Sequence, residues 1–150
     1  MASALGVSFL FLLNLYIGEG SFGNFVVNLS RSFYEDRGVI TSPETSIYNT
    51  LGIIISIVSI VLSVGTIFLF KNRPLQAKLA KFSMIINLAL LVVLVYGVEQ
   101  AIEGAGSALI SGNYNYISFI LPVFATVSNY IAFKNILKDE ALVRASDRLR

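Results

Sequence analysis

Glu99 and Glu103 stand four residues apart, a spacing that puts two carboxylates on one helix face. Such a pair can hold a cation or raise the pKa of one of its members. The competing reading is a solvated helix end, because Gly104-Ala105-Gly106 follows at once and would leave Glu103 in water. Asn14, Asn87 and Asn129 fall in long apolar surroundings, where an amide must find a partner. Each reads as an interhelical clamp or, less simply, as a substrate-binding amide. Gly52, Ser56, Ser59, Ser63 and Thr66 recur at spacings of 4, 3, 4 and 3, as do Ser118, Pro122, Ala125, Asn129 and Ala132. Ala80, Ser83 and Asn87 add a shorter run. Small residues in this heptad pattern let helix backbones approach closely, and their hydroxyls bond across. The seam is read as packing within one chain. A seam between subunits, which leaves a homo-oligomer open, and a polar conduction path are the alternatives.

Other chemistry is excluded by residue type. The chain has no Cys and no His. That removes disulfides, thiolate nucleophiles and the commonest metal ligand and general base. Gly18-Glu19-Gly20-Ser21-Phe22-Gly23 fits a dinucleotide fingerprint formally, but it follows an apolar segment and opens no helix. No catalytic, cofactor-binding or metal-binding residue is therefore expected, and the protein is read as no enzyme. A net charge of +2 gives no footing for nucleic acid.

The elements that must position these residues follow from composition. Hydrophobic residues make up 55% of the 150 residues and charged residues only 13%, with a mean hydropathy of +0.75. A soluble domain of this size cannot hide so much apolar surface, so the expectation is an integral membrane protein in contact with the lipid bilayer. Residues 1–18, 45–70, 82–98 and 104–133 carry no charge. A membrane helix needs roughly 20 apolar residues, which predicts spans at 2–17, 48–70, 80–98 and 115–133. The first could also be a cleaved signal peptide, but no basic region precedes it, and it is read as retained. Pro122 is expected to kink the fourth span.

Charge sorts the connections. Lys71, Arg73, Lys78 and Lys81 lie between spans two and three without an acid. The tail 134–150 holds five basic and three acidic residues. The positive-inside rule puts both in the cytoplasm, and four spans then give an N-in/C-in topology. The outer loop 18–47 opens on a flexible glycine stretch. NFVVNL and GVITS have strand composition, with Asp36-Arg37-Gly38 able to turn between them as a short hairpin. Ser42-Pro43-Glu44 reads as a helix start. Asn28-Leu29-Ser30 fits a glycosylation sequon, of consequence only in a eukaryotic secretory pathway. In the tail, Glu140 and Arg144 stand at i, i+4 in the favourable order. Residues 134–148 are expected to continue the fourth helix, with Leu137, Ala141 and Arg144 as the candidate partner contact.

Two segments carry a resemblance. Phe70-Lys71-Asn72-Arg73-Pro74-Leu75-Gln76 and the tail from Lys138-Asp139-Glu140 through Leu142-Val143-Arg144 to Asp147-Arg148-Leu149-Arg150 resemble the small four-span inner-membrane proteins of Bacteroidetes known only as a domain of unknown function. Those proteins share a basic FKNR-x-LQ-like loop and a tail close to KDE-x-LVR-x-x-DRLR. The likeness covers spans two to four and the tail. The short Arg-Gln segment with which members open has no counterpart here. The resemblance implies the inner membrane and four spans, and no activity. The fold expected is an all-α bundle of four transmembrane helices with a small outer loop. The function expected is a non-enzymatic accessory or structural subunit of a membrane assembly, alongside other membrane subunits. The alternative is a small transporter or channel for a weakly charged solute.

Overall fold

Among the described residues three helices are long and apolar enough to cross a membrane: α2 (Ile47–Phe68), α3 (Arg73–Ala105) and α4 (Tyr116–Asp147). The computed structural model describes residues 2–36, 39–44, 46–69, 72–106 and 109–147, with the backbone alone for Ala2, Asp36, 39–44, Arg144 and Asp147. At 1.5 Å per residue, α2 is about 33 Å long and matches a hydrocarbon core of about 30 Å. The helices α3 and α4, 33 and 32 residues long, overrun it. Their overhangs lie at opposite ends. The outer part of α3 enters a sheet layer, and α4 continues past the start of α3, where the Arg73 guanidinium donates to the Asp139 carbonyl (3.2 Å).

The expected all-α bundle of four spans is not what forms. The segment read as span one, 2–17, divides into α1 (Ala2–Phe9) and the start of strand β1 (Asn14–Gly20). Eight helical residues cover about 12 Å, less than half a bilayer core. The helix tightens into i→i+3 bonds at Leu10, Phe11 and Leu12 and then stops. Hydropathy misled because Leu15 and Tyr16 are as apolar as a span demands, yet they are buried in a sheet. Helix α1 packs against α2 and α4, with Val7 and Leu10 wholly buried. The N-in/C-in arrangement rested on four spans and falls with the fourth.

The second correction is a five-stranded antiparallel sheet: β1, β2 (Gly23–Asn28), β3 (Ser32–Asp36), β4 (Val39–Glu44) and β5 (Leu109–Tyr114), in the order β4-β3-β2-β1-β5. The expected short hairpin was too small. NFVVN forms β2 and VITS falls in β4, but they do not pair with each other; β3 lies between them. Arg37 and Gly38 lie outside the described residues. The glycine stretch is ordered: Gly20 pairs with Gly23, whose φ of 114° closes the β1–β2 turn. Ser42 is no helix cap, because 39–44 is strand. Helix α2 starts after Ser46, whose hydroxyl accepts from the Tyr48 N–H while Asn49 Oδ1 accepts from the Ser46 N–H, a reciprocal cap.

Strand β5 joins the α3–α4 connection to the chain preceding α2. The antiparallel helices α2 and α3 return the chain to the same end of the bundle, so β5 can reach β1 and pair from Tyr16↔Tyr114 to Gly20↔Leu109. The sheet packs on the outer half of α3: Tyr16, Phe25, Val27 and Leu29 share a core with Leu94 and Val98. Tyr16, Tyr34, Tyr48, Tyr96, Tyr114 and Tyr116 all lie toward this end, six of the seven tyrosines, as in the aromatic belt of a membrane interface.

Candidate functional site

The interior of the bundle is lined by hydroxyls and amides. On antiparallel α2 and α3, the Ser63 and Ser83 hydroxyls lie 3.4 Å apart. Four residues back on α2 and four forward on α3, the Ser59 hydroxyl donates to Asn87 Oδ1 (2.5 Å). Helix α4 joins through Asn129, whose Nδ2 donates to Ser83 Oγ (2.9 Å). Ser83 thus ties three helices at one level. One turn toward the sheet from Asn129, Ala125 is wholly buried. Ser56, one turn from Ser59 on the same face, is wholly buried as well. The Ser56 hydroxyl and the Asn87 Nδ2 find no hydrogen-bond partner among the described residues.

The remaining seam residues serve other joints. Gly52 faces the β2–β3 turn: a Cβ there would stand 3.0 Å from Leu29 Cδ1, so glycine lets a strand connection rest on α2. The Thr66 hydroxyl donates to the Ser63 carbonyl within its own helix (2.7 Å), and the Thr66 carbonyl accepts from Gln76 Nε2 (2.9 Å), closing the α2–α3 corner. Ser118 donates to the Asn14 carbonyl (2.9 Å), tying α4 to β1. Asn14 itself opens strand β1. Ala132 is exposed and takes no part in the seam. Pro122 lies inside α4, where its carbonyl accepts from Thr126 (2.9 Å). Glu99 and Glu103 are exposed at the outer end of α3. In the tail, Leu137 and Ala141 are exposed, and the side chain of Arg144 lies outside the described residues.

Two constellations escaped the sequence reading. Buried Asn49 donates through Nδ2 to the Asn28 and Leu29 carbonyls (3.1 and 3.3 Å), clamping the turn after β2 to the start of α2. Its signal was present: an Asn three residues after a Ser, opening an apolar run. The other is a tyrosine laid over glycine. A Cβ on Gly112 would lie within 2.4 Å of Tyr16 Cζ, and one on Gly18 would stand 2.7 Å from Leu109 Cδ1. Tyr16 also meets Tyr114 edge-on at 5.4 Å. Burial, and next the neighbouring Tyr114, push the Tyr16 phenol above its ordinary pKa.

The seam offers neutral donors and acceptors, and its polar groups mostly spend them on one another. Fold and seam together define a helical bundle, three of whose helices are long and apolar enough to cross a membrane, capped at one end by an antiparallel sheet. The chain belongs to the family described as a domain of unknown function (DUF4293), whose profile matches residues 2–149. No curated protein matches it.

Proposed function

We propose that this protein is a non-enzymatic, multi-pass structural or accessory subunit of a larger membrane assembly, seated in a bacterial inner membrane with its basic end in the cytoplasm. The observation that carries the reading is the end of α4. Beyond the level at which Arg73 meets it, the helix runs on with Leu142 62% and Val143 44% exposed, following Leu137 at 43%. An isolated helix of this length is marginal in water, so an ordered, half-apolar overhang suits a helix with something to dock against. The seam supports the same reading: its bonds join α2, α3 and α4 to each other and tie the spans together, where a conduit would need them turned to a path. The bacterial inner membrane rests on the basic loop and tail and on the resemblance those segments carry.

The test is purification of the native protein in mild detergent with and without the tail. The full chain is expected to bring down a fixed set of membrane subunits. Truncation after Lys134 should lose them while leaving membrane insertion intact, since the spans carry the insertion energy. A truncated protein that keeps every partner, or a full chain that has none, contradicts the proposal.

A further inference from the structure

We infer that the core of the bundle binds one ordered water molecule between the Asn87 amide and the Ser56 hydroxyl. Asn87 is wholly buried, and its Oδ1 is committed to Ser59. Its Nδ2 keeps two N–H donors with no partner among the described residues, and so does the hydroxyl of wholly buried Ser56. An amide left unpaired in hydrocarbon costs several kcal/mol, a penalty that one bound molecule can remove. Helix geometry sets the two groups one turn apart along the same seam. Ser59, which bonds Asn87, and Ser56 are three residues apart on one face of α2. Asn129 bonds Ser83, and one turn further along the two antiparallel helices the residues that come level are Asn87 and the wholly buried Ala125, whose side chain is a single methyl.

The chemistry selects the ligand. Amide hydrogens call for an acceptor, which excludes a bare cation. On α3 the charged residues nearest in sequence are Lys81 and Glu99, six and twelve residues from Asn87, about 9 and 18 Å along the axis. An anion would therefore sit without a close counter-charge. Water accepts from Asn87 and donates to Ser56, and buried waters in proteins are held by such otherwise unpaired groups.

The test uses the full chain with ¹⁵N-labelled asparagine in phosphatidylcholine–phosphatidylglycerol nanodiscs, with the Asn87 side-chain signal assigned by its loss in Asn87→Leu. Magnetisation transfer from water protons to the Asn87 amide is expected in the wild type, with exchange against D₂O taking hours. In Ser56→Val, which fills the water's place, the transfer should disappear while the melting transition remains cooperative. No transfer in the wild type overturns the inference, as does undiminished transfer in a folded Ser56→Val protein. Exchange complete within the dead time would replace an isolated water by a wetted path and also overturn it. Should Ser56→Val not fold, the wild-type transfer and its exchange rate decide.

Discussion

The two ends of α3 are packed by opposite rules. On its inner half the buried face reads Ala77, Ala80, Ser83 and Asn87; from Leu90 outward it reads Leu90, Leu94 and Val98. The inner residues meet small and polar partners on α2 and α4, while large apolar side chains such as Ile57, Val61 and Phe124 point outward. In lipid nothing is gained by hiding leucine from tails that are as apolar as leucine, so close approach and interhelical bonds, averaging about 0.6 kcal/mol each, hold the helices. The outer residues meet Tyr16, Phe25, Val27 and Leu29. There large apolar side chains from the sheet replace the small and polar ones. One helix thus passes near Leu90 from a seam of small and polar contacts to a core of large apolar ones.

Substitutions can break either half. The largest effect is expected at Gly112→Val, whose branched side chain would enter the space of the Tyr16 ring. A loss of about 3 kcal/mol, read by chemical unfolding in detergent, should come with exposure of the sheet while the spans stay inserted. Next is Ser59→Leu, which overpacks the seam and deletes the bond to Asn87, with an expected loss of about 2 kcal/mol. Leu62→Ile on the same helix should stay within about 0.5 kcal/mol. Equal effects would mean the seam does not discriminate by size. Asn49→Ala removes a helix cap and the clamp on the β2–β3 turn together and should cost about 1–2 kcal/mol. The smallest effect is a pH dependence. Because the folded Tyr16 phenol titrates above its unfolded value of about 10, the stability it brings is full below that pH and is lost as pH rises through the folded value. Tyr16→Phe should remove that part of the alkaline loss, read as melting temperature against pH.

Sequence periodicity reached the seam between the helices better than the sheet. Ser56, Ser59, Ser63, Asn87, Ala125 and Asn129 stand out by spacing because small or polar residues in a charge-free run have few other reasons to recur, and the fold buries all six. The sheet was legible only in part. β2 reads as a strand by composition, but β1 is hidden inside a run apolar enough to mimic a span. β5, LISGNY, reads as a linker, because its Gly112 is chosen for the ring of a tyrosine almost a hundred residues earlier. Gly52 stands out in the helix seam by spacing, and a Cβ there would meet both Leu29 of the β2–β3 turn at 3.0 Å and Val93 of α3 at 3.9 Å, since close approach to a strand turn and to a helix both ask for glycine. Local pattern carries no information about which distant partner a small residue was selected for.

The proposed membrane placement requires three crossings between the sheet and the end of α4, and the absence of cysteine makes it directly testable. Single substitutions Ser21→Cys, at the β1–β2 turn, and Ser146→Cys, in the last turn of α4, would be probed with a membrane-impermeant thiol reagent on intact cells and on inverted vesicles. Ser21→Cys should be labelled only in intact cells and Ser146→Cys only in inverted vesicles. Labelling of both positions from the same side would contradict the account.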